Sequence, residues 1–189
     1  MKNILLLVAV LFIHQITAQN YSLNKEVQSI NWTGKAAFDA YSLTGTIDTQ
    51  QGSVLVKGDT IVQMSIVIDM KSLDHDNKEL KGHLRGKDFF EIKKYSQAKF
   101  VLTRPSIIKN GKVSLTGNLT IKNITKEETF TAGILKKEKN TIEIAPIMNI
   151  NRTSYGVEYN SPTIFQSLKK NAIADDFELN GKLMFKTIN

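Results

Sequence analysis

Residues 113–121 read Val-Ser-Leu-Thr-Gly-Asn-Leu-Thr-Ile, and this stretch decides the fold class. Its odd-numbered positions hold apolar residues or glycine, and its even-numbered positions hold Ser, Thr or Asn. A period of two puts alternate side chains on opposite faces of a β-strand, so this strand has one apolar and one wet face. Asn110-Gly111 stands just before it and is the strongest hairpin signal in the chain. A one-sided strand next to a hairpin is typical of an antiparallel sheet.

The same alternation recurs along the chain. It is present in residues 62–70, 100–102, 130–134, 142–144 and 177–185, and turn signals at residues 57–59 and 138–140 lie between these segments. About eight one-sided strands predict either a β-sandwich or a closed barrel. A barrel of about eight strands is either filled by side chains or just able to hold a ligand.

Two segments break the alternation. Residues 75–92 place apolar side chains at helical spacing, with Asp76 or Asn77 available as the N-cap and Gly86 to end the first helix. Residues 161–171 begin with serine and proline, which predicts a second short helix. Neither a repeat nor a linker is visible, so we expect a single domain.

The amino terminus has the features of a secretory signal peptide. A lysine precedes ten apolar residues, Ile4 to Ile13, and the small residue Ala18 follows. The apolar run is shorter than the roughly 20 residues that cross a bilayer. We therefore expect cleavage near Ala18, a domain over residues 19–189, a periplasmic or secreted location, and no integral membrane segment.

Charge and composition narrow the function. The 189-residue chain has no cysteine, which excludes disulfides, a thiol nucleophile and Cys-ligated metals. It carries 25 Lys and Arg against 18 Asp and Glu, and the excess lies in residues 71–112, which hold eleven basic and five acidic residues. Such a stretch is either a solvated surface or a site for an anionic partner. Because we expect export, we predict no nucleic-acid partner.

The sequence offers little for catalysis. His75 lies between two aspartates, but the segment lacks the glycine and glutamate of a calcium loop and is better explained as an exposed helix start. His83 has no nucleophile elbow, zinc-binding His-Glu-x-x-His motif or glycine-rich phosphate loop beside it. We predict no enzyme, no catalytic residue, no metal and no cofactor. A hydrolase that uses His83 is the least favoured alternative, kept because catalytic triads assemble in space.

The inward-facing positions are Val, Ile, Leu, Met and Phe, so any cavity is apolar. Phe89 and Phe90 end the first helical segment. They either plug the barrel end as part of the core or form the wall of an apolar pocket. Periodicity leaves both interpretations open.

Several stretches resemble the signature of the YceI-like proteins. They are Ile68-Asp69-Met70-Lys71-Ser72-Leu73, residues 83–95 from His83 through Phe89-Phe90 to Tyr95, Ala98-Lys99-Phe100, residues 117–126, and Asn151-Arg152-Thr153-Ser154-Tyr155-Gly156. They follow the family's order from about Tyr21 to Lys186. Ser96 and Asn151 depart from the proline and aspartate usual in the family, and the second change weakens the expectation that an acid at 151 pairs with Arg152.

The resemblance implies a mainly β protein, an extended eight-stranded antiparallel β-barrel of lipocalin-like form with one or two short helices, exported to the periplasm. It implies an isoprenoid-like or other amphiphilic lipid as ligand in the barrel tunnel. Homodimers are frequent in the family, so a homodimer is a further expectation.

Our leading hypothesis is thus an exported soluble carrier or sequestering protein for such a lipid. The apolar residues expected to line the tunnel are Val62, Met64, Ile66, Ile68, Leu84, Phe89, Phe90, Phe100 and Leu102. A basic rim of Arg85, Lys87, Lys93 and Lys94 would face an anionic headgroup. Arg152 is expected first to hold a strand end, and second to touch the headgroup. The alternative is a filled barrel that acts as an envelope or stress module and binds a protein partner.

Overall fold

The computed structural model describes residues 18–38, 40–165, 167 and 171–188. The signal peptide predicted for residues 1–18 therefore lies, except for Ala18, outside the described residues. The strands are β1 (Ala18–Ala36), β2 (Ser42–Lys57), β3 (Thr60–Asp74), β4 (Gln97–Leu102), β5 (Ser106–Ile107), β6 (Lys112–Ile121), β7 (Ile124–Glu138), β8 (Thr141–Asn151) and β9 (Ile173–Thr187). The helix α1 spans Lys78–Arg85, and a 3-10 turn spans Arg152–Tyr155.

Antiparallel pairing joins these strands into a closed barrel. The order is β2-β1-β9-β8-β7-β6-β4-β3, and a further pairing of β2 with β3 closes the ring. The two-residue β5 pairs with the beginning of β3 and continues the position of β4. The predicted eight-stranded antiparallel barrel is confirmed, and closure leaves none of these eight strands with an open edge.

Tight turns set the register, as the turn signals predicted. Asn110 and Gly111 have φ of 51° and 70°, and Lys109 pairs with Lys112 across them. Positive φ at both central residues matches the twist of a two-stranded hairpin, which explains why Asn-Gly stands there. Lys122 and Asn123, with φ of 50° and 61°, make the same kind of turn between β6 and β7.

A bulge in β3 overturns one inward position predicted from alternation. Gln63 pairs with Leu55, but Ile61 pairs with Val56, so Val62 is the extra residue. An extra residue reverses the side to which the preceding side chain points. Ile61 is therefore fully buried, whereas Val62 is only half-buried and lies outside the core.

The helical elements lie at one end of the barrel, which we call the capped end. Asn77 is the N-cap of α1, where its Oδ1 accepts a hydrogen bond from the Leu80 N–H at 3.0 Å, and Gly86 is the C-cap, as predicted. Of the predicted second helix over 161–171, residues 166 and 168–170 lie outside the described residues, and Asn171 is in 3-10 conformation. Residues 162–164 form a turn, in which the Phe165 N–H donates to Ser161 O, while the Ile173 N–H bonds Asn160 O and draws the ends of the segment together.

Candidate functional site

The interior of the barrel divides into a packed half and a hollow half. In the half away from the capped end, Leu115, Ile142, Ile144 and Phe185 are fully buried. Phe100 is buried there too, and its ring meets Phe130 edge-on at a centroid distance of 5.0 Å. This half has the dense packing of an ordinary protein core and forms a floor.

The capped end encloses a cavity of about 300 Å³. Its wall comes from the barrel strands near this end, with Trp32 on β1, Met70 on β3, Leu119 on β6 and Leu179 on β9 among the lining residues. A volume of about 300 to 1,000 Å³ is usual for pockets that hold small molecules. The alternating apolar positions that build a core in one half thus line a cavity in the other.

The cavity meets solvent beside the end of β1 and the beginning of β9, which stay paired there through Ala36 and Ile173. Four of its lining residues are exposed there: Lys35, Tyr41, Asn171 and Asp176. Among the described wall residues, only Lys35, Arg152, Asn171 and Asp176 have a charged or amide side chain. The site is therefore an apolar chamber with its polar groups near the mouth, apart from Arg152.

The roof is made by α1 and the segment that follows it. Leu84 and Phe89 are buried, and both line the cavity together with Leu80 and Phe90. Phe90 meets Phe177 of β9 edge-on at 6.1 Å between ring centroids. The two interpretations of the phenylalanine pair are therefore compatible, because Phe89 and Phe90 close the barrel end and also form the wall.

Three cationic side chains hold the capped end together through backbone carbonyls, and two of them, Arg85 and Lys122, bind the roof. Arg85 donates from Nε to Leu73 O at 2.7 Å and from Nη2 to Lys71 O at 2.9 Å, joining α1 to β3. Lys122 donates from Nζ to Phe89 O at 2.9 Å and to Gly156 O at 3.0 Å. Hydrogen bonds from charged donors are among the stronger ones in proteins, so these residues act as clamps.

Arg152 is the third clamp and the most buried, with a side chain only 4% exposed. Its guanidinium donates to Ala174 O at 3.0 Å, Val157 O at 2.8 Å and Ile173 O at 2.8 Å. Burial lowers the pKa of Arg152, and the nearby Asp175 carboxylate opposes that shift. Arg152 thus holds the beginning of β9, which agrees with the first of its two expected roles.

The acid that pairs with Arg152 is Asp175 rather than residue 151. Nη2 of Arg152 lies 3.6 Å from Asp175 Oδ1, and the Thr163 hydroxyl donates to Asp175 Oδ2 at 2.6 Å. Asn151 caps the 3-10 turn, its Oδ1 accepting from the N–H groups of Thr153 and Ser154. An amide oxygen does this as well as a carboxylate, which explains why asparagine is compatible with the fold.

The structure brings together four of the nine predicted tunnel residues. Ile68, Leu84, Phe89 and Phe90 line the cavity. The other five are not among its lining residues: Met64, Ile66 and Phe100 are buried in the core, Leu102 packs against it half-buried, and Val62 lies at the bulge.

The predicted basic rim is not at the mouth. Arg85 is occupied by backbone carbonyls, and Lys87, Lys93 and Lys94 are exposed outside the cavity wall. Lys94 lies over the ring of Tyr95, 4.9 Å from its centroid. Lys35 on β1 is the cation among the described residues that line the mouth.

Sequence reasoning missed the contribution of β1 and β9 to the wall, including Trp32, Phe177 and Leu179. The alternation of 177–185 identified the inward face of β9, but it gives no information on which half of the barrel is hollow. The sequence did contain one signal for the position of the cavity, namely the place of the helical segment in the order of the strands. The inward residues nearest to that segment are the ones that line the cavity.

The described residues show no arrangement for catalysis or metal binding. His83 is exposed and stacks on Tyr159 at a ring distance of 6.5 Å, and no hydrogen bond joins its side chain to a serine or aspartate in the described part. His75 Nδ1 accepts from the Asn77 N–H at the helix start. Within the same ranges, no three His, Asp or Glu side chains are grouped closely enough to hold a metal ion. Nor is any described helix long and apolar enough to cross a membrane.

The described residues thus form a closed β-barrel with an apolar cavity under a clamped roof at its capped end. The chain belongs to the YceI-like family, since the family model for the YceI-like domain matches residues 21–185. A UPF0312 protein of Vibrio parahaemolyticus is 39% identical over 70 residues, 37% of each chain. A UPF0312 protein of Pseudomonas putida is 32% identical over 127 residues, which are 66% of each chain. A UPF0312 protein of Staphylococcus aureus is also 32% identical, over 132 residues, which are 67% of this chain and 70% of the relative.

Solved structures share the fold. A polyisoprenoid binding domain from Saccharophagus degradans has a TM-score of 0.66 at 15% identity and covers 89% of this chain and 98% of its own. BcnA of Burkholderia cenocepacia has a TM-score of 0.62 at 19% identity, covering 86% and 98%. The Campylobacter jejuni YCEI protein has a TM-score of 0.56 at 21% identity, covering 100% and 94%.

Proposed function

We propose that this protein is an exported binding protein that holds an isoprenoid-like or other amphiphilic lipid with its apolar chain in the cavity, without catalysing a reaction. The cavity carries the proposal: it is apolar, opens to solvent at one side and ends on a packed floor. Each methylene buried there contributes about 0.8 kcal/mol, so a chain of several carbons gains most of its affinity from the wall.

We infer a position for the headgroup that differs from the expected basic rim and from Arg152. Arg152 donates to three backbone carbonyls, so its main partners lie within the protein. Lys35, Asn171 and Asp176 stand where the cavity meets solvent. We therefore infer that the polar head lies at this mouth and that the clamped roof covers the chain.

We also propose that the protein is exported and that it forms a homodimer. Residues 1–18 support export through a signal peptide, followed by a periplasmic or secreted mature chain.

For a homodimer, the supporting observation is an apolar patch on the outer wall, where Leu135 of β7 and Ile147 of β8 are 54% and 62% exposed. Sedimentation of an Ile147→Ser variant tests it: a shift from dimer to monomer supports that interface, and an unchanged mass contradicts it.

The filled-barrel module that binds a protein partner is the second candidate. It requires an interior packed throughout to normal protein density. The packed half satisfies this requirement and the capped end does not, because the cavity there measures about 300 Å³. The observation thus favours the lipid-binding proposal.

Two residues on β4 give a matched test. Ala98 lines the cavity, whereas Phe100, two positions further along the same face, lies in the packed half. Ala98→Phe places a ring in the cavity, and we expect it to weaken retention of polyprenyl lipids about tenfold or more, because the ring occupies space that the chain needs. Phe100→Ala should instead lower the free energy of unfolding by about 3–5 kcal/mol and leave retention largely intact.

The two variants are measured by delivering polyprenyl lipid from cyclodextrin and quantifying the bound fraction by extraction, with denaturant unfolding alongside. Circular dichroism confirms folding of Ala98→Phe. Unchanged retention in a folded Ala98→Phe protein would contradict the cavity as the lipid site.

A further inference from the structure

The mouth of the cavity carries exposed aromatic side chains. Phe38 and Tyr41, in the connection between β1 and β2, are 70% and 60% exposed. Tyr41 also lines the cavity, so the exposed aromatic surface continues directly into the apolar wall. A large apolar side chain this exposed is costly in water unless another surface covers it.

The connection is held in place rather than folded inward. The Ala37 N–H donates to Ala172 O at 2.9 Å, and the Ala36 N–H donates to Tyr41 O at 2.9 Å. Ala37 and Ala40 present little side-chain bulk beside the two rings. These contacts fix a short loop that displays Phe38 to solvent at the mouth.

A second apolar segment lies at the same end of the barrel. Ile164 and Phe165 are 43% and 47% exposed, and they precede β9. The turn that carries them is anchored to β9 by the hydrogen bond between the Thr163 hydroxyl and Asp175. This segment does not line the cavity: Phe165 lies in a separate surface depression beside the acidic side chains of Asp88 and Glu158.

We propose that the exposed rings of Phe38 and Tyr41 at the mouth, which we call the aromatic rim, are a docking surface for a lipid bilayer, through which the ligand chain passes between membrane and cavity. The inference rests on the proposed function. A lipid chain that is insoluble in water must enter the cavity from a bilayer or leave it for one, so a bilayer is the surface that we expect to dock here. Aromatic side chains favour the interface between headgroups and hydrocarbon, where one part of the ring is apolar and the other wet.

The described charges at the mouth balance each other, which favours apolar insertion over electrostatic attraction. Among the described residues that line it, Lys35 and Asp176 carry opposite charges. Docking should therefore occur on zwitterionic phosphatidylcholine vesicles and depend weakly on salt, unlike the adsorption of a basic patch to anionic lipid.

Phe38 is the residue to test, since it is exposed and does not line the cavity. Ile107 on β5 is the matched control, because it is 58% exposed at the opposite end of the barrel. Phe38→Ser should weaken sedimentation with phosphatidylcholine vesicles about tenfold, whereas Ile107→Ser should leave it unchanged. In Phe38→Trp, vesicles with brominated acyl chains should quench indole emission more strongly than in Ile107→Trp, since the native Trp32, which lines the cavity, is present in both variants.

Uptake of polyprenyl lipid separates this inference from the proposed function. Phe38→Ser should slow uptake from vesicles but keep the affinity for lipid delivered by cyclodextrin. If no protein takes up lipid from cyclodextrin, the proposed function fails, while vesicle binding still reports on docking. Equal vesicle binding by the Phe38→Ser and Ile107→Ser variants overturns the docking surface. So does a change of oligomeric state on Phe38→Ser, which would make the aromatic rim an interface between copies of this chain.

Discussion

Arg152 shows at the scale of one residue how the capped end is held. Its guanidinium satisfies three carbonyls and lies beside a buried carboxylate. Removing one partner of such a buried pair leaves the other charge uncompensated. We predict that Arg152→Ala lowers the free energy of unfolding by about 3–5 kcal/mol, and that Arg152→Lys does not restore it, because lysine lacks the planar set of donors.

The matched control is Arg104, whose guanidinium lies 3.2 Å from Glu127 Oε1 with both side chains largely exposed. Exposed pairs contribute little, so Arg104→Ala should change the free energy of unfolding by less than about 1 kcal/mol. Denaturant titrations of the three variants give the comparison. Similar losses at Arg104 and Arg152 would contradict the clamp.

Tyr155 makes stability depend on pH in the alkaline range. Its hydroxyl donates to Glu128 Oε1 at 2.7 Å, and burial together with that carboxylate raises the pKa of Tyr155 well above its usual value. The folded state therefore binds this proton more tightly than the unfolded state. The resulting stability is complete below about pH 10, where an unfolded tyrosine begins to ionise, and is lost as the pH rises further.

We expect the free energy of unfolding to fall above about pH 10, and Tyr155→Phe to make that fall shallower, because it removes the ionising group. Glu128→Gln removes only the charge and should have a smaller effect in the same direction. Urea unfolding at several pH values on either side of pH 10 is the measurement. An equal slope in Tyr155→Phe would show that other groups cause the alkaline loss.

At the scale of elements, the roof is joined to the 3-10 turn region by Lys122. This lysine follows β6 and bonds Phe89 O and Gly156 O at once. Lys122→Met keeps most of the side-chain length but removes both bonds, and we predict faster release of bound lipid, with a loss of about 1–3 kcal/mol in stability. Lys126→Met on the neighbouring strand, where the side chain is exposed, is the control.

Hydrogen exchange locates the effect of Lys122→Met. Protection should decrease in residues 86–96 and 152–160, the two segments that the lysine connects, and remain unchanged in β6 and β7. A uniform decrease across the barrel would mean that the lysine supports the whole fold rather than the roof.

The sequence predicts regular elements well and breaks in regularity poorly. The alternation of 113–121 and the Asn110-Gly111 turn led to the correct strand and hairpin, because both signals are local. The alternation placed Val62 inward wrongly. A bulge arises from the pairing of two strands, and the sequence of a single strand does not reveal it. The helix predicted at 161–171 lies partly outside the described residues. At its beginning, residues 162–164 form a turn, and the Thr163 hydroxyl bonds Asp175 of β9, a contact distant in sequence that the local serine-proline signal does not contain.

At the scale of the whole molecule, the hollow half could not be predicted from alternation. Phe100 and Ala98 lie on the same face of β4, yet one is in the packed half and the other lines the cavity. What distinguishes them is the distance from the roof, which is a property of the assembled barrel. The apolar character of the cavity was predictable from its inward-facing residues, and so was a strand-holding role for Arg152. The position of the cavity and the clamping by Arg85 and Lys122 required the structure.

The central claim is that the capped end holds a lipid, and native mass spectrometry followed by denaturing mass spectrometry tests it most directly. The full chain would be expressed in the cells that produce it and purified without detergent. We predict a reproducible added mass that disappears on denaturation, passes into organic solvent, and is reduced in Ala98→Phe. A protein that carries no added mass, and still carries none after incubation with polyprenyl lipids, would contradict the account.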